Sequence, residues 1–292
     1  MKILVTGATG QLGRALLEGA PAGIEAIGLN RTQCDLSNPE QCRAVVREYR
    51  PDVLINTAAY TQVDKAESDP ETAFRINAEG PGILASAIGN LGGRLVQIST
   101  DFVFDGRQGF PYATDAPTLP LNVYGASKRA GEEAVLEKLG PRAVVLRTAW
   151  VHSSQGSNFV RTMLRLMASR ESVSVVSDQV GSPTWARGLA NAVWATALHP
   201  SVSGILHFTD SGVASWYDFA HAIQEEGLAR GLLQKAVPVL PITAEDYARQ
   251  FPATVARPAY SVLDQRTTRD LLGLIPVHWR THLRAMLDEF QP

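Results

Sequence analysis

The 292-residue chain is 45% hydrophobic and 19% charged, and 27 Lys and Arg against 29 Asp and Glu leave a net charge of −2, an ordinary globular composition. That balance lacks the basic excess of a nucleic-acid binder, and no run approaches the roughly 20 apolar residues of a membrane span. Cys34 and Cys42 are too few for a disulfide framework, and the opening Met1-Lys2-Ile3 run is not a signal peptide, so a reducing, cytoplasmic setting is expected.

In chain order, short β-branched runs alternate with helical stretches, which predicts an α/β doubly wound parallel sheet with a smaller, interleaved α/β lobe. Lys2–Thr6, Glu25–Leu29, Asp52–Asn56, Arg94–Ser99 and Arg142–Arg147 read as strands. Asn38 before Pro39 and Asp69 before Pro70 read as helix caps, and Gly92-Gly93 stops the second of those helices. Past about residue 150, Pro, Ser and Gly clusters such as Gly181-Ser182-Pro183-Thr184 loosen the pattern. There Ser215 and Asp218 form a capping-box signature opening a helix from Trp216 to about Arg230, and Trp279–Phe290 reads as a terminal amphipathic helix. The expected division is 1–150 and 151–292, with later segments returning to the first unit.

The first predicted strand runs straight into Gly7-Ala8-Thr9-Gly10-Gln11-Leu12-Gly13. Glycines at a first βα turn let backbone approach a pyrophosphate, which then faces the positive end of the helix; this is the Rossmann-type dinucleotide site. Gly7, Thr9, Gly10, Gln11, Leu12 and Gly13 are therefore its candidates. At the end of the second strand, where a carboxylate would select NAD, stand Asn30 and Arg31. An amide and a guanidinium accommodate a 2′-phosphate, so NADPH is favoured, with NADH still usable; Arg31 reads equally as a solvated surface charge. Asp35 and Leu36, after Cys34, could flank the adenine, and Ala58-Ala59-Tyr60 follow the third strand where backbone must pass close to a ligand.

The fourth strand ends in Ser99-Thr100-Asp101, and Tyr124 and Lys128 lie four residues apart, on one helix face. Reducing a ketone by hydride creates an alkoxide that needs a proton. A tyrosine of pKa about 10 is a poor participant near neutrality, and an ammonium one turn away is expected to lower it, while the Thr100 hydroxyl holds the carbonyl oxygen.

The segments VTGATGQLG (5–13), AAYTQVDKAE (58–67), STDFVFDG (99–106), PLNVYGASK (120–128), RTAWV (147–151), DQVGSPT (178–184) and RPAYSVLD (257–264) run along nearly the whole chain. In them the sequence resembles the extended short-chain dehydrogenase/reductases and, within these, the dTDP-4-dehydrorhamnose reductases. The resemblance implies NADPH-dependent reduction of the 4-keto group of dTDP-4-dehydro-L-rhamnose, the last step in making dTDP-L-rhamnose. It implies Tyr124 as proton donor, Thr100 as ketone-positioning group and Lys128 as the residue that tunes Tyr124 and holds the nicotinamide ribose. Val63, Asp64, Asp101 and Trp150 would border the sugar, and the substrate-binding second lobe would meet the nucleotide half of the substrate. Arg257 reads either as a diphosphate partner or as a surface ion pair, while Trp185, Trp216 and His152 read as core.

Some relatives hold magnesium between subunits through acidic side chains, but the matching positions here are Ala15 and Arg187. No metal is therefore expected, and a monomer or weak homodimer is. Sugar 4,6-dehydratases of this fold carry a Glu where this chain has Phe102, which cannot transfer a proton. The remaining alternatives are another nucleotide-sugar reductase or epimerase, or a non-catalytic NADP-binding subunit resembling the β subunit of methionine adenosyltransferase.

Overall fold

A computed structural model describes residues 1–290. β1 (Lys2–Thr6), β2 (Glu25–Leu29), β3 (Val53–Asn56), β4 (Arg94–Thr100) and β5 (Ala143–Thr148) join the Gly204–His207 strand in one six-stranded sheet. Its order is Gly204–His207, β5, β4, β3, β1, β2, with every pair parallel. The strand order reverses between β1 and β3, and in open α/β sheets ligands bind outside the carboxyl ends of the strands at such a switch point.

Both faces of the sheet are covered, which is why its strands read as continuous apolar runs. Alternation sends Ile3, Val5, Val53 and Ile55 to one face, against α1 (Gln11–Glu18) and the Ala186–Leu198 helix. Leu4, Leu54 and Leu95 face the other, against α2 (Pro39–Tyr49) and the Gly80–Gly89 and Val123–Leu139 helices. Each such fully buried aliphatic side chain contributes about 1.5–3 kcal/mol. The Ala186–Leu198 helix and Gly204–His207 strand thus come back to the sheet from beyond residue 150, and Trp194 Nε1 donates to the Leu16 carbonyl at 3.1 Å. A separate core, with Phe219, Ile223, Leu283 and Met286 at its centre, joins the Phe159–Ser169, Trp216–Ala229 and Trp279–Leu287 helices to a two-stranded Val173–Val176/Val239–Ile242 ribbon.

The cap signals divide. Asn38 accepts from the Gln41 amide, and Ser215 and Asp218 form the reciprocal box. Asp69 caps nothing with its side chain. The helix it precedes lasts only from Pro70 to Phe74, then widens into a π-turn over Arg75–Glu79 that buries Asn77. π-bulges of this kind recur near functional sites, and this one aims Asn77 at the loop after β3. Among the described residues no helix is long and apolar enough to cross a membrane.

Candidate active site

A cavity of about 1380 Å³ opens at the carboxyl ends of β1, β3, β4 and β5. It exceeds the roughly 300–1,000 Å³ of a site for one small ligand, so it has room for two ligands side by side. A smaller groove of about 700 Å³ among the helices of one sheet face contains none of the candidate residues.

At one end of the cavity lies the glycine turn. Gly7 has φ +70°, and a Cβ there would fall 2.7 Å from the Ala58 nitrogen. Gly7, Thr9, Gly10, Gln11 and Leu12 line the cavity, while Gly13 sits behind them, its Cα packed toward the Gly7 carbonyl. α1 begins at Gly10 with no side-chain cap and no acidic residue in its first turn. Its free amides and positive dipole end are therefore open to an anion, which is what a bound dinucleotide requires of this chain.

Asn30 and Arg31 part company. The Asn30 side chain is consumed locally, accepting from the Thr32 amide and hydroxyl and the Gln33 amide, and is absent from the cavity wall. Arg31 lines the wall with its side chain 78% exposed, 3.4 Å from Asp35. Against the cost of desolvation, Ser37 and then Arg31 hold the Asp35 carboxyl below its usual range. Asp35, Leu36, Ala58 and Ala59 line the same end, but Tyr60 does not. Its backbone is clasped by Asn77, which accepts from the Tyr60 amide at 2.8 Å and donates to its carbonyl at 3.0 Å.

At the other end, Thr100, Asp101, Tyr124 and Lys128 meet in one wall. β4 delivers Thr100 at its last position, and the Val123–Leu139 helix starts where Asn122 caps the Gly125 amide at 2.8 Å. Asn122 also donates to the Ala256 carbonyl at 2.9 Å, tying the Arg257 segment to the catalytic helix. Lys128 is buried, and its Nζ donates to the Ile98 carbonyl at 2.7 Å. Burial lowers the Lys128 ammonium to about 8, opposed by Glu132 one turn on. The Thr100 hydroxyl donates to Asp101 Oδ1 at 3.1 Å, and burial raises the Asp101 carboxyl to about 6.

The expected lowering of the tyrosine is corrected. Burial pushes the Tyr124 phenol up to about 12, with Thr100 pulling the other way and the Asp101 charge adding to the rise. Burial disfavours the phenolate, and the Lys128 Nζ is directed to the Ile98 carbonyl. Phe102 packs edge-on to Tyr124 at 5.5 Å, so the dehydratase acid position holds a hydrocarbon.

Of the remaining candidates, Val63, Trp150 and Arg257 line the cavity. Asp64 turns instead to Arg257 at 2.8 Å and to the Val255 amide at 3.0 Å, fastening that segment to the rim. Arg257 is thus both an ion-pair member and a wall residue. Trp216, read as core, also lines the cavity, stacked on Trp150; Trp185 is buried in the second core, as expected. Ser99, Gln179 and Ser261, inside the family motifs but given no role there, complete parts of the wall, and Tyr247 does so from outside every marked segment. His152 is buried, which lowers it to about 4 and keeps it neutral. Among the described residues no group of three or more His, Cys, Asp or Glu is placed to hold a metal, and Arg187 pairs with Glu289 at 2.8 Å.

A family model described as RmlD substrate binding domain matches residues 1–292. A dTDP-4-dehydrorhamnose reductase of Burkholderia thailandensis is 42% identical over 96% of each chain. A probable dTDP-4,6-dihydroxy-2-methyloxan-3-one 4-ketoreductase of Streptomyces antibioticus is 43% identical, covering 99% of this chain and 95% of its own. Among solved structures, a dTDP-4-dehydrorhamnose reductase of Bacillus anthracis in complex with NADP superposes with a TM-score of 0.90 at 36% identity over 99% of each chain. The chain belongs to the RmlD family of dTDP-4-dehydrorhamnose reductases and their relatives.

Proposed function

We infer that this protein reduces the 4-keto group of dTDP-4-dehydro-L-rhamnose to dTDP-L-rhamnose with NADPH. The observation that carries the reading is one cavity, large enough for two ligands, that joins an uncapped glycine-turn helix to Thr100, Tyr124 and Lys128. In this reading the sheet half holds the dinucleotide through Gly7–Gly13, Arg31, Asp35 and Leu36. The second core and the 255–261 segment hold the nucleotide sugar, with Val63, Trp150 and Arg257 toward it.

When bound, the nicotinamide supplies the hydride that adds to C4. Tyr124 donates its hydroxyl proton to the ketone oxygen as negative charge develops there, which yields the alcohol and leaves a phenolate. The buried phenol is protonated near neutrality, so the proton is in place before reaction and passes to the alkoxide, the stronger base, as that forms. Lys128, beside the phenolate on the same helix face, carries the compensating positive charge and orients the nicotinamide ribose. Thr100 holds the carbonyl oxygen in line with the Tyr124 proton.

The exact sugar is the narrower part of the reading, because a relative named for a different dTDP-linked keto-sugar is 43% identical and a single hydroxyl is read by few contacts. The deciding experiment follows NADPH oxidation at the purified protein with dTDP-4-dehydro-L-rhamnose, other dTDP-4-keto-6-deoxy sugars and NADH in parallel. Substrate-dependent oxidation with dTDP-L-rhamnose as product bears the proposal out; tight NADPH binding without turnover on any keto-sugar refutes it and favours a regulatory subunit. We propose a monomer or weak homodimer, since Ala15 and Arg187 stand where some relatives carry the acidic side chains of an intersubunit metal; sedimentation that stays dimeric at nanomolar protein would refute that proposal.

A further inference from the structure

Trp150 carries a φ of +48°, a conformation that a bulky residue keeps only where its surroundings hold it. Two short strand pairs supply those surroundings. Val151–His152, directly after Trp150, pairs with Thr184–Trp185, and the Thr184 amide donates to the Trp150 carbonyl at 3.2 Å. Val180–Gly181 pairs antiparallel with Ala214–Ser215, and Ser215 caps the helix of which Trp216 is the first residue. The second pair therefore delivers Gly181 and Trp216 together to the Trp150 ring.

The two indoles stack face to face, with centroids 3.5 Å apart and planes within 6°. Phe159 leans on Trp216 from the second core at 4.6 Å, so the outer indole is backed. At Gly181 a Cβ would fall 2.6 Å from Cε2, 2.7 Å from Nε1 and 2.9 Å from Cζ2 of Trp150, so the indole fills the room that the missing side chain leaves. Trp150, Trp216 and Phe159 line the same cavity as Thr100, Tyr124 and Lys128.

We propose that Trp216 and Gly181 are positioning residues that clamp the Trp150 indole as a fixed wall of the sugar half of the cavity. The ligand face this wall suits is the apolar C–H face and methyl group of a 6-deoxy sugar, which an immobilised aromatic ring contacts at little entropic cost. A wall held by packing from behind need not be ordered when the sugar enters, which is how supporting residues sharpen a binding site. The proposal rests on the reductase reading for its substrate and on the stack alone for its geometry.

The test compares wild type with Trp216→Ala, Trp216→Phe and Gly181→Ala in three measurements. These are circular dichroism for the exciton couplet of the indole pair, NADPH affinity by fluorescence titration, and steady-state kinetics with the dTDP-4-keto-6-deoxy sugar. Wild type shows the couplet. Trp216→Ala abolishes it and raises the sugar KM about tenfold, the upper end of what an aromatic pair contributes, with kcat little changed and NADPH affinity intact, as expected for a wall felt equally in ground and transition states. Trp216→Phe also lacks the couplet but recovers most of the KM, and Gly181→Ala weakens the couplet and raises KM without opening a cavity. If Trp216→Ala does not fold, Gly181→Ala and Trp216→Phe decide. A wild-type spectrum without the couplet, an unchanged KM in Gly181→Ala, or a parallel loss of NADPH affinity overturns the proposal. Should wild type reduce no 4-keto sugar, the reductase reading falls by itself, while the clamp still stands or falls by the couplet and its weakening in Gly181→Ala.

Discussion

The two ends of the cavity are built from different materials. The dinucleotide end is backbone and small residues, namely Gly7 at φ +70°, an uncapped helix start at Gly10, Ala58 and Ala59, with one ion pair, Arg31–Asp35, whose guanidinium stands 78% exposed. The catalytic end is buried ionisable side chains, with Asp101, Tyr124 and Lys128 each displaced from its ordinary pKa chiefly by loss of water. The first end is sensitive to an added carbon and forgiving of a changed charge. The second is sensitive to any change of charge, because a desolvated wall makes an unpaired charge costly.

Removing the phenol tests the catalytic end most severely. Tyr124→Phe should lower kcat by about 10²–10⁴-fold while NADPH still binds with unchanged affinity; retained turnover would show that the proton comes from elsewhere. At the opposite end Gly7→Ala adds a single carbon at a positive φ, against the Ala58 backbone. It should destabilise the fold by about 1–3 kcal/mol and weaken NADPH binding, both read from thermal unfolding with and without the cofactor. A variant as stable as wild type would remove the argument from close approach.

The pH dependence carries opposite signs for rate and stability. The Lys128 ammonium loses its proton near 8 in the folded protein and near 10.5 in the unfolded chain. kcat/KM for NADPH, which reports the free enzyme, should therefore fall as pH rises above about 8, roughly tenfold per unit at the limit. Across the same window, from about 8 to 10.5, the unfolded chain binds more protons than the folded one, so this group's contribution makes stability rise with pH. A Lys128→Met variant should lose the alkaline step in stability, and persistence of that step would assign it to another group. The smallest effect belongs to the exposed guanidinium. Arg31→Ala should raise the NADPH KM by about two- to fivefold and leave that for NADH unchanged; equal changes for both would mean that Arg31 does not read the 2′-phosphate.

The sequence alone determined five of the sheet's six strands, the Gly204–His207 edge strand having gone unread, and the motifs around the switch point. β1 and β2 begin and end where the apolar runs do, β3 and β4 differ from the reading by one residue at one end and β5 is shifted by one at both, because strands buried on both faces leave an unbroken apolar record. The glycine turn and the Tyr124–Lys128 face were legible for a similar reason: each is a local spacing that any helix or turn translates directly into geometry.

What the tertiary structure decided is what depends on neighbours distant in the chain. Asp69 looked like a cap, yet the helix after it bends into the π-turn that sends Asn77 to Tyr60. Trp185 and Trp216 are the same residue type with the same expectation; one went to the core and the other to the cavity wall, because only Trp216 meets a second indole there. Tyr124 was expected to be made more acidic by Lys128 and is instead made less so, since desolvation is set by everything packed around a group and no spacing within one helix encodes it.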